Sequence, residues 1–327
     1  MNQLNYKKTQ YNKPFISQRA DPYVTQDDEG RYLFTASVPA YDAIVLRRSS
    51  TLDGLAEADE KIIWHKHKEG IMSEHVWAPE IHKVFGEWYI YFAASDVDDI
   101  WALRPYVLHC TGDDPMTDSW EECGQMQRCD EDQFSFNDFS LDMTVFENKG
   151  HWYAVWAEKV NVGQKISNLY IAEMASATKL KTSQVLLTAP DYDWERVGFW
   201  VNEGPGIIKH NGRIFMTYSA SSTGICYAVG LLSISEDDEI LNPHAWTKSR
   251  MPVLSTDFDK GILGPGHNSF TTMINSDGSV SDVVIYHARQ YDEIEGDPLY
   301  DPNRHTYRMK VRWENNGEPV FDINNNF

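Results

Sequence analysis

One local pattern returns at near-equal steps along this chain: a short polar or small-residue opening, a strand, a turn, then an aromatic-rich strand. It reads DPYVTQDDEGRYLFTAS from Asp21, APEIHKVFGEWYIYFAAS from Ala78, LDMTVFENKGHWYAVWAE from Leu141, EGPGIIKHNGRIFMTYSAS from Glu203 and, more loosely, GHNSFTTMINSDGSVSDVVIYHAR from Gly266. With Asp21, Glu80, Asp142, Glu203 and His267 taken as equivalent, the steps are 59, 62, 61 and 64 residues. The tips DEG, FGE, NKG, HNG and SDG fall at matching places, as hairpins between adjacent strands require. Sustained helical periodicity is absent, so the chain reads as all-β. Such a period suits a four-stranded sheet with generous loops, and sheets repeated radially around a channel keep their edges short and protected. The pattern predicts a single five-bladed β-propeller over residues 19–327, preceded by an arm of residues 1–18. A non-repeating sandwich is the alternative, and the recurring turn chemistry argues against it.

In a propeller the innermost strand of each blade lines the channel, so the opening residues of all repeats face one central space. Carboxylates placed there amid apolar neighbours are costly to bury without a partner or a task. Two carboxyl groups across a pocket can cleave an acetal, one protonating the leaving oxygen and the other activating water or attacking the sugar. Glu203, in WVNEGPGII, is the candidate acid, because Trp200, Val201 and Pro205 would limit hydration and so raise its pKa. Asp21, in QRADPYV, has the more polar surroundings and is the candidate base. Asp142, in FSLDMTVFE, would lie between them and push the Glu203 pKa upward as a like charge. Taken one at a time, each acid also reads as a strand-end carboxylate capping backbone amides.

The segments RADPYV, WAPEI, SLDMTVFE, NEGPGI, GPGHNSF and YHAR, in that order from Arg19 to Arg289, resemble the blade-opening motifs of glycoside hydrolase family 43. The resemblance implies a five-bladed propeller that acts by inversion on arabinose- and xylose-containing glycans. It implies the same three roles: Asp21 as general base, Asp142 as pKa modulator, Glu203 as general acid. By the same resemblance Arg289, ending the YHAR strand, would hydrogen-bond sugar hydroxyls through its forked cation. Trp77 would form part of the sugar-binding wall. His267 would face a central calcium or other cation held mostly by water, a possible structural ion with no part in the chemistry. Glu80 reads as a polar residue near the pocket with no catalytic step.

The net charge of −20, from 49 acidic against 29 basic residues, repels phosphate backbones and anionic lipid, so neither nucleic acid nor membrane is an expected partner. The runs Asp27 to Glu29, Asp96 to Asp99, Asp130 to Asp132 and Glu236 to Glu239 read as solvated loop tips and lack EF-hand spacing. The first fifteen residues hold no apolar stretch long enough for a secretion signal, and Cys110, Cys123, Cys129 and Cys226 show neither metal spacing nor disulfide density. Both observations point to the cytoplasm. Among family members many β-xylosidases carry an added C-terminal β-sandwich; here the chain ends shortly after the fifth repeat, which favours the arabinan side. The expected activity is an inverting, exo-acting α-L-arabinofuranosidase working on short arabinose-containing oligosaccharides. β-Xylosidase and endo-α-1,5-L-arabinanase are the alternatives within the family, and a non-catalytic sugar-binding propeller is the alternative of another class. A fructan-cleaving propeller is disfavoured by the absence of NDPNG and EC motifs.

Overall fold

Two-residue connections fix the innermost hairpins of three repeats. Val84 pairs with Glu87, Asn148 with His151 and His210 with Arg213. The residues between them, Phe85-Gly86, Lys149-Gly150 and Asn211-Gly212, all have positive φ, between 49° and 93°. Two successive left-handed residues make the type I′ turn, whose twist matches that of the flanking strands. The turns predicted at FGE, NKG and HNG are therefore in place, and longer turns at DEG and SDG join the corresponding strands of the first and last repeats.

The computed structural model describes residues 13–160 and 166–323. Blade one contains β1 (Ala20–Gln26), β2 (Tyr32–Ser37), β3 (Ala43–Ser49) and β4 (Lys61–His65), and blade two contains β5 (Glu74–Val84), β6 (Glu87–Asp96), β7 (Asp99–Cys110) and β8 (Trp120–Gln125). Blade three is β9 (Ser140–Asn148), β10 (His151–Val160) and β11 (Ile166–Ser176), with the short β12 (Lys179–Leu180) and β13 (Val185–Thr188) both paired to β11. Blade four is β14 (Trp200–His210), β15 (Arg213–Ala220), β16 (Ala228–Ser235) and β17 (Thr247–Lys248). Blade five is β18 (Leu263–Ile274), β19 (Val280–Arg289), β20 (His305–Trp313) and β21 (Pro319–Phe321). The fold is the all-β, five-bladed propeller. Blades three and four are further joined by a short parallel pairing of β11 with β14, in which Ser167 faces Val201.

Apolar side chains fill the wedges between blades. Val84, Tyr91 and Val107 of blade two meet Val145, Ala154 and Trp156 of blade three. Trp156 is fully buried, a burial worth about 3 kcal/mol, and its indole N–H donates to Glu158 Oε2 at 2.8 Å. Between blades five and one, Val283 and Ile285 pack with Val24, Phe34 and Ile16. Ile16 also exchanges backbone hydrogen bonds with Thr306 on β20, so the chain just before β1 clasps blade five. Residues 1–12 of the expected arm lie outside the described residues. No helix among the described residues is long and apolar enough to cross a membrane.

Every innermost strand breaks its register near the axis. The shift lies between Ala20 and Tyr23, between Trp77 and Glu80, opposite Leu141 and Thr144, between Glu203 and Gly206, and between Gly266 and Ser269. At each break one residue takes left-handed φ: Asp21 (51°), Ala78 (46°), Asp142 (54°), Gly204 (54°) and His267 (42°). These bulge residues are the structurally equivalent positions. Asp21, Asp142 and His267 occupy them as the repeat predicts, whereas Glu203 sits one residue before its bulge and Glu80 two residues after. A bulge re-aims a side chain that strict alternation would send elsewhere, and a left-handed non-glycine residue costs roughly 1–2 kcal/mol that the surrounding sheet must offset.

Candidate active site

A cavity of about 500 Å³ opens at the axis, and Asp21, Asp142, Glu203, Trp77 and His267 all line it. Five residues predicted from separate repeats thus meet in one place. Arg289 does not join them. Its Nε donates to Asp301 Oδ2 at 2.8 Å, and its two terminal nitrogens donate to the carbonyls of Thr223 and Pro298 at 2.8 and 2.7 Å. Arg289 therefore stands behind the wall and secures the segment that carries Asp297 and Leu299, two cavity-lining residues. The guanidinium on the wall itself belongs to Arg304.

Asp21 is held from several sides. Ser37 Oγ donates to its Oδ2 at 2.6 Å, and Arg304 reaches its Oδ1 at 3.4 Å while donating to the Tyr41 hydroxyl at 2.8 Å. Its backbone N–H points at His287 Nδ1 at 3.1 Å, and the same ring nitrogen stands 3.2 Å from Asp21 Oδ1, while His287 Nε2 is a buried atom with no partner among the described residues. Burial works to raise the Asp21 pKa. The charges of Arg304 and His267 outweigh it and hold the carboxyl well below the usual range. His287 is driven down to about 3 by its own burial and stays neutral.

Glu203 lies under opposite influences. Burial first, and the charge of Asp142 second, push it up to about 8, against a hydrogen bond from the Tyr227 hydroxyl to Oε1 at 2.9 Å. With Oε1 accepting from the phenol, the acid proton resides on Oε2. Tyr227 stays a phenol, since burial and the neighbouring Glu203 raise its pKa well above the ordinary value. Its ring lies over Gly266, where a Cβ would come within 2.1 Å, so only glycine admits the tyrosine.

Asp142 accepts the Gly204 backbone N–H at 3.0 Å, tying it to the residue that follows the acid. Burial, helped by the charge of Asp21, pushes it up to about 6 against the pull of His267. His267 Nδ1 stands 3.4 Å from Asp21 Oδ1 and 3.6 Å from Asp142 Oδ2. Burial opposes its protonation, but the surrounding acids, Asp142 and Asp21 foremost, win and raise its pKa. Glu80 accepts from His82 Nε2 at 2.8 Å, with His82 Nδ1 3.0 Å from the Tyr23 hydroxyl, so it belongs to a buried chain off the cavity wall.

A calcium ion facing His267 would have to draw most of its ligands from water. Calcium takes six to eight oxygen ligands. Here no group of three or more His, Cys, Asp or Glu among the described residues comes together as a metal-holding set, and the His267 nitrogen nearest the acids already faces two carboxylates. No step below runs through an ion.

Trp77 stacks on His75 with ring centroids 4.3 Å apart and meets Tyr41 edge-on at 5.5 Å, which fixes its plane at the wall. Tyr227, Arg304, Ser37 and His287 were not singled out by the repeat. Ser37 closes the quoted DPYVTQDDEGRYLFTAS segment and His287 lies within YHAR, but Tyr227 and Arg304 fall outside every quoted segment, where no local pattern marks them.

The description "Glycosyl hydrolases family 43" belongs to a family model that matches residues 11–319. An "Extracellular exo-alpha-(1->5)-L-arabinofuranosidase" of Streptomyces avermitilis is 45% identical over 313 residues, which cover 96% of this chain and 63% of that protein. The "Alpha-L-arabinofuranosidase 43" of Humicola insolens is 43% identical over 314 residues, again 96% of this chain and 63% of its own length. This chain thus spans less than two thirds of either relative. A solved structure described as an alpha-L-arabinofuranosidase from Lactobacillus brevis superposes with a TM-score of 0.88 at 48% identity, covering 95% of each chain.

Proposed function

The chain belongs to glycosyl hydrolase family 43, and from that premise we propose that it is an exo-acting α-L-arabinofuranosidase that hydrolyses with inversion, with short arabinose-containing oligosaccharides as substrates. The observation that carries the reading is the division of protons among the three acids. Asp21 is held ionised, while Glu203 is pushed up to about 8 and so keeps a proton at neutral pH. Two carboxyl groups in opposite protonation states across one cavity are what acid and base catalysis of acetal cleavage requires.

Glu203 Oε2 delivers its proton to the leaving oxygen as the glycosidic bond lengthens, and Asp21 takes a proton from the attacking water. A carboxylate as acidic as Asp21 is a weak base, but water acidifies steeply as it bonds to an oxocarbenium-like carbon, so the transfer comes late. Asp142 keeps Glu203 protonated by its charge and fixes the adjoining backbone through Gly204. Trp77 offers a flat apolar wall to the sugar, and Arg304 offers a cation beside Asp21.

Exo action is supported by the wall of Asp297 and Leu299, held by Arg289 on one side and on the other by the Tyr300 hydroxyl 3.2 Å from His75 Nε2. The names of the relatives support arabinofuranosides as substrates. Cytoplasmic placement belongs to the same proposal and is supported by four free cysteines, of which Cys110 and Cys129 are buried. Cell fractionation tests it.

Hydrolysis of a panel of nitrophenyl glycosides tests the activity. Release from the α-L-arabinofuranoside well above the β-D-xyloside supports the proposal. Preference for xyloside overturns the pentose assignment, and binding without turnover on every glycoside overturns the enzyme.

A further inference from the structure

The seam between blades three and four runs directly to the acid. Ser167 on β11 pairs in register with Lys159 on β10 and, in parallel, with Val201 on β14. Val201 and Glu203 are two residues apart on one strand and so share a face; Lys159, Ser167, Val201 and Glu203 all line the cavity. Lys159, Ser167 and Val201 thus form a row across three strands that ends at Glu203.

Two polar groups in this row have no side-chain partner among the described residues. Ser167 is 3% exposed, and its Oγ has no hydrogen-bond partner among the described residues. The Lys159 ammonium likewise makes no hydrogen bond or ion pair among the described residues. A buried hydroxyl left unpaired costs about 1–3 kcal/mol, a cost that a bound ligand would remove. Beside these donors stands an apolar wall. The Lys159 backbone N–H donates to Phe139 O at 2.8 Å, and the Phe139 ring lies 6.4 Å from that of Trp101, which is 50% exposed. Donors flanking a half-exposed aromatic plane match the alternating hydroxyl and C–H surfaces of a sugar ring.

We propose that Lys159 and Ser167, with Trp101 and Phe139 as the apolar wall, bind the sugar on the leaving-group side of the scissile bond, a neutral pentosyl residue of the oligosaccharide. The assignment rests on Glu203 being the acid. An acid must reach the leaving oxygen, so the leaving sugar starts at Glu203 and extends along the row that adjoins it. The ammonium and the hydroxyl donate to its hydroxyl oxygens, while its C–H face lies on Trp101.

The test compares arabinotriose with α-L-arabinofuranosyl fluoride, whose leaving group carries no sugar, in Lys159→Met, Ser167→Ala and Trp101→Ala. The ratio of kcat/KM for arabinotriose to that for the fluoride is expected to fall roughly ten- to hundredfold in Lys159→Met and about five- to tenfold in Ser167→Ala, mostly through KM. Lys159→Arg, which keeps a cationic donor, should restore part of the ratio. Proportional losses on both substrates in all variants, or an unchanged ratio, overturn the subsite. A wild-type enzyme that cleaves neither substrate overturns the arabinofuranosidase reading instead.

Discussion

The Tyr227 hydroxyl donates to Glu203 Oε1 across 2.9 Å, on the oxygen opposite the one that carries the acid's proton. A donor to a carboxyl group favours its ionised form, so the phenol lowers the Glu203 pKa while it orients the group. Tyr227→Phe should therefore move the alkaline limb of the pH-rate profile up, with kcat falling about tenfold. A limb that moves down would show that the phenol acts in another way.

Asp142→Asn should do the reverse. Above about 6 Asp142 carries a negative charge that opposes ionisation of Glu203. Removing that charge lowers the Glu203 pKa, so the alkaline limb, expected near 8 in the wild type, should move down. Activity lost at all pH values with the limb unmoved would assign Asp142 to sugar binding.

Arg304→Met removes the cation beside Asp21. Without it burial counts for more, the Asp21 pKa rises, and the acidic limb should shift toward higher pH. A profile shifted the other way, in a variant that folds by circular dichroism, would contradict the electrostatic account of Asp21.

Leaving groups separate acid from base. Glu203→Gln should spare much of the rate on a dinitrophenyl arabinofuranoside, whose anion needs little protonation, while nearly abolishing cleavage of arabinooligosaccharides. Asp21→Asn should slow both substrates together, by roughly two to four orders of magnitude. Equal losses of the Glu203 variant on both substrates would remove it as the acid.

Inversion predicts that an α-L-arabinofuranoside first yields the β-anomer, with the carboxyl pair roughly 6.5–9.5 Å apart to admit the water. Proton NMR of the initial product checks it. First release of the α-anomer would make Asp21 a nucleophile.

Much of this frame can be read from residues alone, because the turn at FGE, NKG or HNG is a local device whose glycine and neighbour both adopt positive φ. The channel acids are legible for a related reason: a carboxylate at a strand opening is conspicuous against apolar neighbours. Register near the axis is not legible, since a bulge inserts a residue without changing composition, and so Glu80 and Glu203 align with Asp21 in sequence but not in space. Arg289 and Arg304 show the same limit. Arg289 ends one strand of blade five and Arg304 immediately precedes the next, and only the fold decides that Arg289 turns toward Asp301 and Thr223 while Arg304 turns toward Asp21. The seam of Lys159, Ser167 and Val201 joins strands from two repeats, a relationship no pattern within one repeat can express.

The five bulges carry a consequence for how such a scaffold can change over time. A residue at a bulge is released from the in-and-out alternation that directs the other side chains of its strand. Blade two keeps the backbone defect with Ala78 in it, and blade four with Gly204. The frame thus holds five sockets around one axis, three of them carrying titratable groups, and a reagent newly placed in the Gly204 socket would have to displace His267, which a Cβ there meets at 3.1 Å.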